Sequence, residues 1–408
     1  MTPAESIPDS LPPVKIFRQA ASHDNAWSDH YGALHTAAAY AGLTLPGHYA
    51  MRAIWMHGCG GPWLETVPET LYLNSPRGKT WPVFVARHDE VEWLRRHGCA
   101  SAQAIGLPMV YTRESGRLRQ PGSLLVMPCH TLIGDAEHER AAFERYADEI
   151  VAVAGKFQRV VACVHPNCLR NGLWVREFTD RGVEIVYGAQ TNDLNALGRM
   201  RALFEQFEFV TTNGWGGHVA YALAFGAKLS IHGTLPKRSE ADLLRDTTWA
   251  ADQNSLKATL SDIVQLKRDA WLADFQRPPD EGLADLARGR WLIGWDNRLA
   301  PAAMKQVLAT MVPNLLEYEA VHRARGERQA ARKEAARLVA SGRPVEATQL
   351  LLRFVRSAAD SKNAKLIHET LIEISADLRP LDPPRAAQLE AQAQRLLAMV
   401  EAARRPAA

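Results

Sequence analysis

Apolar runs alternate with amphipathic segments through the middle of the chain. Between residues 157 and 232, runs such as FQRVVACV and VEIVYGA are joined by short turns to stretches of helical period. Apolar runs of this length are typical of strands covered on both faces of a parallel sheet. One intervening helix places its apolar residues three to four positions apart, namely Leu194, Leu197, Met200, Phe204 and Phe207. The alternation predicts βαβ units in one parallel sheet, to which the upstream run GSLLVMP adds a strand.

The pattern is weaker on either side of this region. Upstream, MRAIWM, ETLYL, PVFVA and QAIGLPMVY are short strand candidates, separated by helical stretches such as DEVEWLRRHG. Downstream of about residue 297 the sequence is helical, and AARLVASGRPVEATQLLLRF has the spacing of half a tetratricopeptide repeat. One copy cannot form an array. We therefore predict an α/β protein with two Rossmann-like domains, residues 1–120 and 121–300, and a C-terminal α-helical extension, residues 301–408.

Composition narrows the class of protein. The chain has 408 residues, of which 47% are hydrophobic and 23% are charged, and a net charge of +3. These values describe a globular protein with a substantial core, and its positive charge is too small to predict a nucleic-acid groove. The N-terminus lacks the apolar core of a signal peptide, and no apolar run reaches the roughly 18 residues of a membrane span. The cytoplasm is the expected location, with the inner face of the membrane as the alternative.

The cysteines predict neither a disulfide framework nor a metal site. There are five, an odd number, and they are scattered along the chain. The cluster CVHPNC holds Cys163, His165 and Cys168, but this spacing is too tight for the usual pairs of zinc ligands. We expect reduced thiols, no metal and no cofactor.

Polar clusters follow the predicted strands of the second domain. They lie at Cys129–Thr131, His165–Asn167, Gly188–Asp193, Thr211–Gly217 and His232–Arg238. All strands of a parallel sheet end at the same edge, and open α/β sheets bind ligands in the crevice along that edge. The five clusters together predict a ligand site.

The segment TTNGWGG carries the strongest signal among these clusters. Three residues supply oxygens that can cap the following helix, and three glycines remove side chains from the turn. A helix N-terminus left open in this way suits a phosphate. The alternatives are an ordinary N-cap with close packing of helix on strand, a core position for the tryptophan, and a core-facing histidine. The predicted ligand-binding residues are Thr211, Thr212, Asn213, Gly214, Trp215, Gly216, Gly217 and His218.

Three other clusters add predicted ligand contacts, each with a structural alternative. The imidazole of His165, which precedes the stiffening Pro166, suits a phosphate or a ribose, although it could simply bond to the backbone. A Gly-Ala pair lets a base lie against the backbone, although a helix cap by Asn192 or Asp193 also explains that loop. Two cations after the last strand could neutralise a diphosphate or be solvated. The residues concerned are His165, Pro166 and Asn167, then Gly188, Ala189 and Gln190, and finally Lys237 and Arg238.

The first domain offers candidates for the opposite wall of a cleft. HGCGGPW, at His57–Trp63, is a second glycine-rich stretch that could also be an ordinary turn. Arg87, His88 and Asp89 follow PVFVA. The chain contains no D-x-D motif, which disfavours a metal-dependent, single-domain sugar transferase.

From about residue 45 to 315 the chain resembles GT-B glycosyltransferases of bacterial capsule and lipopolysaccharide clusters. The matching pieces are SLLVMPCHTL, VHPN, GVEIVYGAQTND, TTNGWGGHVAYALAFGAKLSIHG and IGWDNRLAP. The His-Pro pair is similar to that of sialyltransferases and Kdo transferases, where it contacts the CMP part of the donor. This resemblance implies that His165 contacts the nucleotide phosphate and that Thr211–Gly217 hold it. The acidic motif that supplies the base in the sialyltransferases is absent from the sequence, and the acceptor side has no recognisable signature.

The resulting expectation is a metal-independent glycosyltransferase that uses a nucleotide-sugar, with CMP-sugars as one option. Its acceptor would be a precursor of a cell-surface polysaccharide or lipopolysaccharide, as a glycan or lipid-linked glycan. The predicted base is one of His57, Asp89, His130 and Asp135. Alternatives are a sugar-nucleotide epimerase, a CDP-polyol phosphotransferase, or an inactive scaffold that binds a protein partner through its C-terminal helices. The basic run His322–Arg337 could contact anionic lipid or form a solvated helix face.

Overall fold

The computed structural model describes residues 11–15, 30–45, 53–56, 81–129, 140–170, 172–233, 239–244, 256, 260, 269–312, 315–360 and 364–404. The chain divides into two compact units, Met1–Pro313 and Asn314–Ala408. The first is α/β and the second is helical, so the predicted α/β class and the helical C-terminal region are confirmed.

A three-stranded parallel sheet opens the first unit. Its strands are β1 (Ile54–Trp55), β2 (Val83–Val85) and β3 (Ala102–Ala104), in the order β1-β2-β3, and the helices of this region are α1 (Ala33–Tyr40) and α2 (His88–Arg96). QAIGLPMVY, predicted as a short strand, belongs to β3 only at its first two residues. The strand ends at Ala104 because Gly106 takes a positive φ and Pro108 starts a 3₁₀ helix, Pro108–Tyr111. ETLYL and HGCGGPW lie outside the described residues.

The alternating region forms a five-stranded, fully parallel sheet. Its strands are β4 (Gln120–Val126), β5 (Arg159–Val164), β6 (Glu184–Tyr187), β7 (Phe207–Thr212) and β8 (Lys228–Ile231). Its helices are α3 (Arg140–Ala154), α4 (Pro166–Arg170), α5 (Val175–Thr179), α6 (Ala196–Gln206) and α7 (Gly217–Ala224). The predicted βαβ alternation is confirmed, including GSLLVMP as a strand of the same sheet.

The order of these strands creates a switch point. They are arranged β6-β5-β4-β7-β8, so the chain winds outward from β4 to one edge and then crosses to the other side of β4. This is the order of the first five strands of a doubly wound dinucleotide-binding sheet. A crevice at the carboxyl ends of β4 and β7 follows, because the connections from these two strands leave in opposite directions.

Helices α8 (Glu240–Leu244), α9 (Leu286–Ile293) and α10 (Pro301–Met311) complete the first unit. Helix α9 packs on α7, and the chain then returns to the three-stranded sheet. Hydrogen bonds mark the return: Leu107 N donates to Ile293 O at 2.9 Å and Asn297 Nδ2 donates to Ala86 O at 2.8 Å. Helix α10 packs on α1. The segment from α9 to α10 therefore joins the two sheets.

The second unit contains α11 (Leu315–Ala340), α12 (Pro344–Asp360), α13 (Ala364–Leu378) and α14 (Pro383–Arg404). Each helix packs on the next, and α11 also contacts α13. Arginines of the basic run pair with acidic residues of α13, including Arg325 with Glu369 at 2.6 Å and Arg332 with Glu373 at 2.9 Å. These arginines are ion-paired within the unit. Among the helices of the described residues, none has the length and apolar character to cross a bilayer.

Candidate functional site at the carboxyl edge of the five-stranded sheet

The sheet topology brings three of the polar clusters, and the described parts of the other two, to one edge. Along that edge lie Gly188 after β6, His165 after β5, Cys129 after β4, Asn213 after β7 and His232 after β8. Main-chain bonds extend the ladder beyond the strands, with Met127 N donating to Thr211 O at 2.7 Å and His232 N to Thr212 O at 3.0 Å. With strands about 4.8 Å apart, the edge is roughly 19 Å wide.

The loops after β4 and β7 are joined at the switch point. Cys129 N donates to Asn213 Oδ1 at 2.8 Å. The thiol of Cys129 lies against Gly214, where an added Cβ atom would overlap with Sγ. Trp174 Nε1 donates to Cys129 O at 3.0 Å, which ties the same loop to the core. Asn213 and Gly214 thus hold the two loops together.

The polar side chains before the glycines bond within the protein. Thr211 Oγ1 pairs with Ser230 Oγ at 2.7 Å, and Thr212 Oγ1 pairs with His218 Nε2 at 3.0 Å and with Gly214 in the turn. Residues 211–214 are all buried. The expectation that these oxygens cap the following helix was wrong, because Ser230, the turn and Cys129 N take them instead.

The start of α7 is the open part of this loop. Gly216 is extended, α7 begins at Gly217, and the N-cap residue Gly216 has no side chain that could cap the helix. By contrast, α9 is capped by Asp285, whose carboxylate accepts Arg288 N at 2.9 Å. Residues 215–218 are half-buried. Main-chain N–H groups at an uncapped helix start, together with the positive end of the helix dipole, form a site for an anion.

Trp215 belongs to an aromatic cluster beside this helix start. Its ring meets that of Trp271 edge-on, with centroids 4.8 Å apart, and Trp271 packs on Phe275 at 5.4 Å. The guanidinium of Arg288 lies over both of the latter rings. Packing within the protein thus orients Trp215 from one side.

His165 and Pro166 lie at the junction of β5 and α4. The carbonyl of His165 accepts Cys168 N at 2.9 Å, and Pro166 is the first residue of α4, a position where its missing N–H costs nothing. Asn167 follows in the same short helix. The half-buried His165 is two strand positions from β7, or roughly 10 Å.

The loop after β6 is locked by a buried ion pair. Asp193 is fully buried and its carboxylate accepts Arg199 Nη2 at 2.6 Å and Lys15 N at 2.8 Å. Arg199 also donates to Gly188 O at 3.4 Å. Asp193 therefore orders the loop, while Ala189 and Gln190 stay half-buried at the edge.

On the three-stranded sheet, Arg87 organises the start of α2. Its side chain is buried, donates to Asp89 Oδ1 at 2.9 Å and lies over the ring of Trp291. Glu90 Oε2 accepts Arg87 N at 2.8 Å, and burial raises the pKa of Glu90 although Arg87 opposes this. Asp89 is exposed and, like His88, belongs to the first turn of α2. The remaining predicted site residues, His57, His130, Asp135, Lys237 and Arg238, lie outside the described residues.

The described cysteines do not form a metal site. All four, Cys99, Cys129, Cys163 and Cys168, are outside any disulfide bond. Burial in β5 raises the pKa of Cys163 to about 12, which disfavours the thiolate that a metal requires. Within the described ranges, no three His, Cys, Asp or Glu side chains are grouped so that they could hold a metal ion.

Sequence reasoning missed two polar side chains near the switch point, Tyr146 and Glu149 on α3. The Tyr146 ring is buried against Trp174 and Phe178. In the sequence both residues fit the polar and apolar pattern of an amphipathic helix, so no signal distinguished them.

Neither the models of known protein families nor the sequences of curated proteins give a match to this chain.

Proposed function

We propose that this protein is a metal-independent glycosyltransferase that moves a sugar from a nucleotide-sugar, with CMP-sugars as the first candidates, to a precursor of a cell-surface glycan. The proposal depends mainly on one observation, the uncapped start of α7 at the switch point of a five-stranded parallel sheet. Such an edge is where open α/β sheets take nucleotides.

In this proposal the donor phosphate lies at the N-terminus of α7. The main-chain N–H group of Gly217, with the helix dipole, stabilises the charge that grows on the phosphate as the sugar leaves. His165, on the same edge, provides a second contact for the nucleotide.

The acceptor would approach from the three-stranded sheet, which we interpret as part of a second Rossmann-like domain. The α9–α10 segment, which joins the two sheets, supports this two-domain arrangement. An acceptor hydroxyl must lose its proton to a base within hydrogen-bond reach. Asp89 is the one predicted base within the described residues, and its carboxylate is held by Arg87.

A thermal-shift screen against CMP, CDP, UDP, GDP and their sugar conjugates tests the proposal. A ligand at 100 times its Kd adds about 2.7 kcal/mol to the free energy of unfolding, so binding is readily visible. We expect one nucleotide class to raise Tm, and His165→Ala and Gly216→Val to remove the shift. His368→Ala, in the helical unit, is the matched control and should keep it. A folded wild-type protein whose Tm no nucleotide changes would refute the proposal, and conversion of the donor without any acceptor would indicate an epimerase.

A scaffold role is the second candidate, because Asn314–Ala408 is a compact helical unit of its own. A protein truncated after Pro313 distinguishes the two candidate functions. If the protein is a transferase, this shortened chain keeps its nucleotide-dependent rise in Tm. If it is a scaffold, neither chain responds to nucleotides.

A further inference from the structure

Several buried side-chain atoms of the first unit lack a hydrogen-bond partner among the described residues, and two of them belong to the same helix, α3. They are the hydroxyl of Tyr146, whose side chain is almost completely buried, and Oε2 of Glu149. Both residues are on α3, three positions apart, and therefore share a face of the helix. Buried tyrosine hydroxyls and carboxylate oxygens nearly always have a partner in folded proteins. Two such atoms on one face of a helix indicate a place for a missing hydrogen-bonding group.

These atoms adjoin the switch point. A Cβ atom added to Gly233, just after β8, would overlap with Glu149 Oε2 and lie 2.6 Å from the Tyr146 ring. The Tyr146 ring meets that of Trp174 edge-on, with centroids 5.6 Å apart, and Trp174 Nε1 donates to the carbonyl of Cys129, just after β4. The thiol of Cys129 contacts Gly214. The chain of contacts therefore runs from α3 through Cys129 to the glycine loop that precedes α7.

The two atoms differ in their hydrogen-bonding character. Burial raises the pKa of Tyr146 well above its ordinary value, so the hydroxyl stays protonated and can donate. The carboxylate oxygen of Glu149 can accept. A donor and an acceptor one helical turn apart match a ligand hydroxyl, which accepts from one and donates to the other. A phosphate would be repelled by the Glu149 carboxylate, so this pair does not duplicate the anion site at α7.

We propose that Tyr146 and Glu149 recognise a hydroxyl group of the carbohydrate carried by the donor. The inference rests on the proposed function for the nucleotide that carries this carbohydrate. It assigns the phosphate to the start of α7 and the sugar to the face of α3, with Cys129 and Gly214 between them. The pair determines specificity for the sugar, and the proton transfer of the reaction is not assigned to it.

Calorimetric titration with two matched pairs of probes tests the pair: CMP against CMP-N-acetylneuraminate, and UDP against UDP-glucose. Tyr146→Phe and Glu149→Gln should each weaken, by about tenfold, the binding of whichever sugar conjugate the wild type binds. A tenfold loss is the effect of one lost hydrogen bond. Affinity for the nucleotide alone should not change. The Tm of Tyr146→Phe should stay the same or rise, because the substitution removes a hydroxyl without a partner.

Tyr111→Phe is the matched control. Tyr111 is as buried as Tyr146, but its hydroxyl donates to Ile105 O at 2.5 Å and accepts Leu299 N at 3.0 Å. Loss of that hydroxyl should lower Tm and leave the ratio of conjugate to nucleotide affinity unchanged. If Tyr146→Phe behaves in this way too, its hydroxyl has a structural role and the inference is overturned.

Failure of the proposed function is distinguishable from failure of this inference. If the wild type binds no nucleotide and no conjugate, the transferase proposal fails, and titration with free N-acetylneuraminate and glucose tests the pair alone. Sugar binding that Tyr146→Phe weakens would uphold the pair, and the absence of sugar binding would overturn it.

Discussion

At the scale of single residues, the glycine loop is shaped by a neighbour that is distant in the sequence. Gly214 has no side chain because the thiol of Cys129 fills that space, and Asn213 bonds to the main chain of the same cysteine. The residues thus join two loops that leave a parallel sheet in opposite directions. This packing accounts for Gly214 without a ligand, so the proposed phosphate site depends on the start of α7 alone.

Replacement of Gly214 by alanine should destabilise the protein. The added methyl group overlaps with Cys129 Sγ, and overpacking of this kind typically costs about 1–3 kcal/mol. Urea unfolding followed by circular dichroism measures the change. Gly155→Ala is the control, since nothing lies within 4 Å of an added Cβ there. In the double variant with Cys129→Ala most of the loss should be recovered, and a loss that persists would contradict this explanation.

At the scale of elements, the position of α7 depends on its contact with α9. Gly289 of α9 lies directly on the backbone of α7, where an added Cβ atom would overlap with Ala224 N. A side chain could rotate away from such a contact, but a main-chain atom cannot. The start of α7, and with it the candidate phosphate site, is therefore coupled to the segment that returns to the three-stranded sheet.

Gly289→Ala should separate α9 from α7. We expect a loss of about 1–3 kcal/mol in the free energy of unfolding, together with weaker nucleotide binding. Chemical denaturation and calorimetric titration measure the two effects. Gly198→Ala in α6 is the matched control, because its nearest neighbour is 3.9 Å away and alanine favours helices over glycine by up to about 1 kcal/mol. Equal stability changes in the two variants would argue against close packing of α9 on α7.

Most elements of the five-stranded sheet were predictable from the sequence. Each buried strand is an unbroken apolar run, and each helix has apolar residues at helical spacing. The error at QAIGLPMVY has a local cause. Its apolar residues are buried as expected, but Gly106 and Pro108 turn the backbone into a 3₁₀ helix. Burial alone therefore does not distinguish a strand from a buried turn of helix.

At the scale of the whole first unit, carboxylates at the amino edge of the five-stranded sheet link stability to pH. Bonds from Lys228 Nζ at 2.8 Å and Gly122 N at 2.7 Å lower the pKa of Glu208. Burial alone would raise the pKa of Glu205, but bonds from Ser115 and Arg201 outweigh it and the net pKa is lowered. Both groups favour the folded state in their charged form.

The first unit should therefore lose stability in acid. Because these pKa values are lower in the folded state, their contribution is complete above the ordinary value of 4.5 and is lost as pH falls below it through the folded values. The urea midpoint of the chain that ends at Pro313 should be flat from about pH 7 to 5 and then fall. Glu208→Gln should lower the midpoint at pH 7 and reduce the fall, whereas Glu92→Gln on an exposed face of α2 should do neither. A midpoint that is independent of pH would contradict the assignment.

The sequence by itself determined the alternation of strands and helices, the helical C-terminal region and the set of polar loops that share one edge of the sheet. It could do so because hydrophobic period and turn residues act locally, and because parallel strands end on the same side. Only the tertiary structure decided the strand order, which puts β4 beside β7 and Cys129 beside Gly214. It also decided that Asn213 bridges two loops instead of capping a helix, and that Tyr146 and Glu149 lie next to the site. These properties depend on contacts between residues far apart in the chain, and no local pattern encodes which strand pairs with which.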